Sequence, residues 1–214
     1  MTLCLDIHTH HQPPQPEAVI SVAVEDFSPL PEQLYSVGVH PWTTTKSVDP
    51  AVWTQLEKIA SLPEVVAIGE CGIDLLKGGP LFKQLLAAQK QIAISEKIGK
   101  PLILHDVKAH DIIVGLKRDL KPAQNWLVHG FRYKPTVAKM MTDAGIYLSF
   151  GENFNPESLK SMPQHMILAE TDESPLTIEQ IISKLAEVLD KNFDEMKELI
   201  AANTQNFLNK KSVG

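Results

Sequence analysis

Leu3-Cys4-Leu5-Asp6-Ile7-His8-Thr9-His10 opens the chain as an apolar run that ends on two histidines one residue apart. Read as a strand, it alternates: Leu3, Leu5 and Ile7 on one face, Cys4, Asp6 and His8 on the other, with His10 just beyond in the loop. Two imidazoles at a strand's end can face one centre, which is metal-ligand geometry if further ligands arrive from elsewhere in the fold. Working outward from this stretch, the same kind of run returns at Ala18–Val24, Tyr35–His40, Val65–Glu70, Pro101–His105, Trp126–His129, Ile146–Phe150 and Met166–Thr171. Such near-continuous apolar strands are what a parallel sheet covered on both faces requires.

Between the later strands the period changes to that of a helix. Pro50–Ser61, Leu81–Gly99, Asp111–Leu120, Pro135–Ala144, Thr177–Asp190 and Asn192–Asn209 all read as amphipathic helices. The second places Phe82, Leu85, Leu86, Gln89 and Ile92 on one stripe, and Gly99 marks its end. The last places Phe193, Met196, Leu199, Ile200, Asn203 and Phe207 on one stripe. Only Thr9–Glu17 joins the first two strands, and Pro13, Pro14 and Pro16 exclude a regular helix there. The second crossover, Glu25–Leu34, has room for at most a short helix. Eight strands alternating with helices predict an α/β fold: a compact (β/α)8 TIM-type barrel with shortened first crossovers, an open doubly wound sheet being the alternative. Residues 1–214 read as a single domain without internal repeats.

Composition narrows the function. The chain has 214 residues, 43% hydrophobic and 21% charged, with 26 acidic against 20 basic side chains and a net charge of −6. That balance offers no global attraction for nucleic acid, so any such binding needs a local basic rim. Cys4 and Cys71 both sit in apolar runs and read as reduced core thiols. Neither a membrane-spanning run nor a signal-peptide pattern is present, so the expected location is cytoplasmic and membrane-free. No Gly-x-Gly-x-x-Gly or P-loop pattern follows a strand, which removes support for nucleotide-cofactor chemistry.

The polar residues fall in one place. His8, His40, Glu70, His105, His129 and Asp172 lie at or just past the C-terminal ends of predicted strands. In a parallel barrel those ends share one rim, where active sites are built. His8, His10, His105 and His129 with Glu70 and Asp172 suffice for two divalent ions if one carboxylate bridges. Imidazole with carboxylate suits zinc, and also Mn²⁺, Co²⁺ or Ni²⁺, whereas Mg²⁺ usually takes more oxygen ligands. Asp6 and Glu170 stand two residues before His8 and Asp172 and are expected to buttress them. His11, His110 and His165 read as surface histidines, and Cys71 as a packed thiol. Lys108, Arg132 and Lys134 follow strands five and six as a possible basic rim, with Trp42, Phe131 and Tyr133 as aromatic platforms nearby. His40 is either a substrate contact or a shaper of the rim.

These residues carry a resemblance. Asp6-Ile7-His8-Thr9-His10, Gly38-Val39-His40-Pro41, the run Ala67–Asp74, the helix bearing Phe82 and Gln89, Pro101-Leu102-Ile103-Leu104-His105, His129-Gly130-Phe131 and Glu170-Thr171-Asp172 follow in the order seen in TatD-like metal-dependent hydrolases. The chain resembles that family, within the wider amidohydrolase-type barrels, along nearly its whole length. The resemblance implies two divalent ions (Zn, Mn or Mg): His8, His10, Glu70 and Asp172 around one, Glu70, His105 and His129 around the other. Glu70 would bridge and Asp172 would also accept the proton of the attacking water. It further implies an ester-bond hydrolase, a deoxyribonuclease acting on DNA ends.

Two departures bear on substrate rather than metal. Val107 stands where the family usually has an arginine, with Lys108 next to it. Asp172-Glu173-Ser174-Pro175 runs straight into the helix at Thr177, without the usual arginine-containing loop. Single-stranded DNA ends or a small phosphoester or ester are therefore the expected substrates. A phosphomonoesterase, a lactonase or amidase, and a non-catalytic metal-binding scaffold remain the alternatives, and the sequence leaves oligomeric state open.

Overall fold

The computed structural model describes residues 4–209. Eight strands close into a barrel in sequential order: β1 (Asp6–Thr9), β2 (Ala18–Ala23), β3 (Leu34–Gly38), β4 (Val65–Asp74), β5 (Leu102–Val107), β6 (Trp126–Val128), β7 (Ile146–Phe150) and β8 (Ile167–Ala169). Every neighbouring pair is parallel, including the closing pair β1–β8. The helices are α1 (Pro50–Ala60), α2 (Leu81–Ile98), α3 (His110–Leu120), α4 (Pro135–Asp143), α5 (Pro156–Ser161), α6 (Ile178–Val188) and α7 (Phe193–Leu208). The expected barrel is present, and so are its trimmed early crossovers. No helix joins β1 to β2, and a single 3-10 turn, Val24–Asp26, lies between β2 and β3. Among the described residues no helix is long and apolar enough to cross a membrane.

Local sequence sets the helix ends. Gly99, at φ 77°, takes the left-handed C-cap of α2 that a side chain would resist. Thr177 with Gln180 and Asn192 with Glu195 form capping boxes at the starts of α6 and α7. Asn155 caps α5 by accepting from the Glu157 and Ser158 amides, with Pro156 in the first turn. That short helix was not among those expected, although Asn155-Pro156-Glu157 carries the signal.

Two strands break the simple alternation, and both breaks matter. The β1–β2 ladder shifts register between Asp6 and Thr9, so one unbroken two-face pattern does not describe this strand. Leu5 joins the core between strands and helices, while Ile7 joins a separate cluster; Leu3 lies outside the described residues. β4 extends to Asp74, past the expected end at Glu70, and its ladder to β5 shifts between Ile68 and Cys71. Gly69 and Gly72 flank Glu70 at φ 145° and 134°. A Cβ on either would lie 2.4 Å from the Ile103 carbonyl oxygen or 2.2 Å from that of His105, so only glycine lets β4 press this closely on β5.

The cluster that takes Ile7 also holds Val19, Ala67, Ile103, Leu127 and Leu168, with Phe207 of α7 packed into it. Ile103, Leu127 and Leu168 stand two residues before His105, His129 and Glu170 on their strands, hence on the same face. This is the barrel interior below the rim, and the last helix seals it. On α7 the expected stripe is the buried one, and its polar member is explained: Asn203 Nδ2 donates to the carbonyls of Gln164 (2.7 Å) and Ile167 (2.8 Å) at the start of β8.

The stripe expected for α2 is largely wrong. Phe82, Leu86 and Gln89 are exposed, while Gln84, Ala87, Ala88, Gln91, Ile92, Ile94 and Ser95 are buried. The packed face is turned to the side carrying two glutamines because the rim loops need hydrogen-bond partners. Gln84 accepts from the Asp74 amide and donates to the carbonyls of Asp74, Lys77 and Gly79. Gln91 accepts from the Val39 amide at 2.8 Å and donates to the Val39 carbonyl at 3.0 Å.

These placements separate two aromatic truncations that the sequence pattern treats alike. Phe207→Ala should lower unfolding free energy by about 3–5 kcal/mol. Phe82→Ser should change it by no more than about 0.5 kcal/mol. Urea midpoints of the two variants check the assignment, and equal losses would refute the α2 orientation.

Candidate metal centre

The rim is organised around one carboxylate. Glu70 is 7% exposed and its two oxygens face different sets of histidines. Oε2 lies 3.3 Å from His10 Nε2 and 3.5 Å from His8 Nε2. Oε1 lies 2.6 Å from His105 Nδ1, 2.7 Å from His129 Nε2 and 3.1 Å from His40 Nε2. Asp172 Oδ1 stands 3.8 Å from both His8 Nε2 and His10 Nε2, and the residue is itself held at φ 54°. All six residues expected as ligands therefore converge, and His40 joins them. His8, His10 and Asp172 form one group with metal-ligand spacing; His8, Glu70 and His129 form a second, and His40, Glu70 and His105 a third.

The surroundings of the rings differ. His105 is held between two carboxylates, its Nε2 3.2 Å from Asp74 Oδ2 and its Nδ1 2.6 Å from Glu70 Oε1. His129 Nε2 is 2.7 Å from Glu70 Oε1, while its Nδ1 is 3.7 Å from Glu170 Oε1, within ion-pair distance but beyond hydrogen-bond reach. In His40, Nδ1 accepts from the Trp42 amide at 3.2 Å, so a neutral ring carries its proton on Nε2 and donates to Glu70. His40 is thus a donor aimed into the site. His8 is fully buried, and neither of its ring nitrogens has a hydrogen-bond partner.

The supporting shell differs in part from expectation. Glu170 serves His129 and not Asp172: its Oε1 accepts from the Gly130 amide at 2.6 Å, and its Oε2 accepts from the Ser149 hydroxyl. Asp6 binds backbone rather than an imidazole. Its oxygens accept from the His8 amide (3.3 Å), the Thr171 amide (3.0 Å) and the Thr171 hydroxyl (2.6 Å), tying β1 to the residue before Asp172. Asp74 had no role in the sequence reading. It also accepts from the Trp42 indole (2.6 Å) and from the Leu76 and Lys77 amides (2.8 and 2.9 Å). Its place at the end of the Glu70 strand was the available signal, but the strand's extension was not foreseen.

The charge balance follows from these contacts. Burial alone would push Glu70 up, yet His129 and the hydrogen bonds of His10, His105 and His129 hold it well below the usual carboxylate range. Burial likewise works against a proton on His129, but Glu70 and Glu170 raise it well above an ordinary imidazole. Burial lowers His8, with the neighbouring His129 adding to it. Burial pushes Asp6 up to about 7 despite its Thr171 hydrogen bonds. The centre thus presents a negative potential to buried imidazole nitrogens, and the partnerless nitrogens of His8 sit within it. That donor set fits a divalent ion.

Other expected residues scatter. Arg132 lines the cleft beside His105 and His129, together with Lys77, a residue outside the expected basic rim, which stands 4.3 Å over the Trp42 ring. Lys108 and Lys134 line none of the clefts described; Lys108 occupies a left-handed turn at φ 60° and Lys134 precedes α4. Phe131 is buried in the core and is no platform, whereas Tyr133 lines the cleft of Trp42 and Arg132, with its hydroxyl engaged by Asp106 and Lys108. Trp42, 45% exposed, is a platform. His110 is half-buried against Asp106 (2.7 Å) rather than a surface residue. His165 is exposed, His11 half-buried, and Cys71 a buried free thiol.

The family model for TatD-related DNases matches residues 21–209. A Mycobacterium tuberculosis metal-dependent hydrolase named TatD is 29% identical over 155 residues, 66% of this chain and 58% of its own length. A Klebsiella pneumoniae protein named 3′–5′ ssDNA/RNA exonuclease TatD is 29% identical over 148 residues, 64% of this chain and 56% of its own. The chain thus matches little more than half the length of either relative. The crystal structure of Escherichia coli YjjV, a TatD homologue, superposes with a TM-score of 0.78 at 20% identity, covering 96% of this chain and 98% of that one.

Glu170 should set the proton affinity of His129. In metal-free protein, Glu170→Gln removes a buried negative charge from its Nδ1 side. The His129 titration midpoint, followed by NMR, should fall by at least about one pH unit. An unchanged midpoint would show that Glu70 alone holds that proton.

Proposed function

The chain belongs to the TatD-related DNase family, and from that premise we propose that it is a two-ion phosphodiester hydrolase acting on single-stranded DNA ends. One observation carries the reading: Glu70 turns one oxygen to His8 and His10 and the other to His105 and His129. A carboxylate so placed can bridge two cations. His8, His10 and Asp172 with Glu70 would hold one; His105 through Nδ1 and His129 through Nε2, again with Glu70, would hold the other. Zinc or manganese suits this donor set better than magnesium. Bound there, divalent ions supply the positive charge that polarises a phosphodiester and makes water a competent nucleophile at neutral pH.

The chain's own residues do the rest. Asp172, whose side chain is 40% exposed, is the carboxylate at the site that water can reach, and it takes the proton of the attacking water. His40 donates from Nε2 toward the same centre and can hydrogen-bond a phosphoryl oxygen. Asp74 orients His105 by a hydrogen bond to Nε2, and the Glu170 carboxylate stands behind His129. Arg132 and Lys77 supply local positive charge to a chain of net charge −6. The family's arginine is replaced by Val107, so engagement should be weak and salt-sensitive.

Three measurements test this. Glu70→Ala should lower metal content at both positions, whereas Asp172→Asn should retain at least one ion and lose about 10²-fold or more in turnover. Equal metal content in the two variants, by mass spectrometry, would refute the bridge.

Metal affinity should rise with pH. Binding must displace the proton that Glu70 and Glu170 hold on His129, and that proton leaves only well above the ordinary imidazole range. Calorimetric titration with Zn²⁺ or Mn²⁺ from about pH 6 to about pH 9, that is from just below the unperturbed imidazole value of about 6.5 to well above it, reads it directly. A pH-independent affinity would show that His129 is not a ligand.

Labelled single-stranded oligonucleotides should be cleaved in preference to duplex, with activity lost on chelation and restored by metal. Lys77→Ala with Arg132→Ala should weaken cleavage and flatten its salt dependence. Turnover of a lactone, an amide or a phosphomonoester with no phosphodiester cleavage would overturn the nuclease reading.

A further inference from the structure

The Glu70 cluster is the waist between two clefts of opposite character. Both are lined by His10, His40 and Glu70. One, of about 520 Å³, runs past His105, His129 and Trp42 and carries Lys77 and Arg132. The other, of about 730 Å³, runs over the ends of β2 and β3 toward α1. It lies where the first crossovers lack helices, between the 3-10 turn Val24–Asp26 and the start of α1. Its walls are apolar (Ile20, Val22, Val48 and Val52 among them), and among the described residues it is lined by no lysine or arginine. Its charged groups besides Glu70 are Glu25, Asp26 and Asp49, and none of the three has a basic partner within salt-bridge distance among the described residues.

From this asymmetry we infer that the β2–β3 groove is the subsite for the terminal nucleoside of the substrate strand, and that it selects an end bearing a free hydroxyl. The inference rests on the nuclease reading above and assigns each side of the scissile phosphate to a cleft. The polyanionic body of the strand crosses the side with Lys77 and Arg132. The groove takes the part that carries no further phosphate: a base, whose faces fit apolar walls, and a sugar, whose hydroxyls can donate to carboxylates. A volume of 730 Å³ is that of a small-molecule site and ample for one nucleoside. A terminal phosphomonoester would bring about −1.5 to −2 charges among the three carboxylates, with no lysine or arginine lining the groove to receive it. Passage of a continuous strand through the groove meets the same repulsion, which restricts cleavage to ends.

The test compares single-stranded oligonucleotides of one sequence carrying a hydroxyl or a phosphate at each terminus. With metal-loaded enzyme, phosphate at the attacked end should slow release of the terminal nucleotide by about tenfold or more, equivalent to about 1.4 kcal/mol of added barrier. Glu25→Gln with Asp26→Asn, both exposed positions, should bring the hydroxyl-to-phosphate rate ratio back toward one. Asp49 is left intact because it caps α1 through the Ala51 amide. Fluorescence anisotropy on chelator-treated protein gives a readout apart from turnover, and affinities should follow the same order. Equal rates and affinities for the two ends, or a ratio unmoved by the double variant, would overturn the groove assignment while leaving the nuclease reading intact. No cleavage of any oligonucleotide by enzyme shown to hold metal would overturn both.

Discussion

The structure depends on one buried carboxylate being ionised and surrounded. Glu70 is nearly inaccessible, and an isolated charge there would be strongly disfavoured. Five imidazoles from β1, its following loop, β5 and the residues after β3 and β6 offset that penalty. The arrangement is exacting on the backbone. Strict alternation from Ala67, which faces the barrel interior, would point Glu70 outward; the register shift between Ile68 and Cys71, flanked by two glycines, brings it in. Strand geometry is therefore distorted where the chemistry needs a side chain that the pleat would not supply.

Around that centre the protein places a second carboxylate behind two of the imidazoles. Asp74 stands behind His105 and Glu170 behind His129. Each is itself pinned by backbone amides or hydroxyls, so the rings have little rotational freedom. The polar contacts of the rim thus form a shell of acceptors that fixes donors, with the apolar layer of Ile103, Leu127 and Leu168 beneath it.

Much of this was legible in the sequence because its strongest signals are local. Apolar runs ending on His8, His105 and His129 locate strands and rim together, and three prolines foretell the missing first helix. What was not legible depends on contacts between distant segments. The α2 stripe misled because Phe82 and Leu86 look like core residues, whereas the buried face is chosen by the unpaired amides and carbonyls of the loops after β3 and β4. Asp6 does support His8, through the His8 amide, but its bonds to Thr171 and the placement of Glu170 behind His129 instead of Asp172 were hidden for a related reason. Spacing along one strand suggests support for the neighbour two residues on, but a side chain between strands reaches across to the next element. Lys77 belongs to a loop whose course is set by Asp74, which no periodicity reports.

The two glutamines of α2 have a consequence for how this chain can vary in length. Gln84 and Gln91 stand seven residues apart, close to two full turns, so both reach the same side of the helix. One inserted or deleted residue between them would rotate one relative to the other by about 100° and strand one rim loop without its partner. The crossovers before β2 and β3 are tied by a single buried glutamine, Gln33, which accepts from the Gln15 amide and donates to the Gln15 and Ala18 carbonyls, so no fixed spacing along a helix constrains them. The middle of α2 acts instead as a fixed ruler, and insertions and deletions among relatives should be tolerated on either side of it but not within.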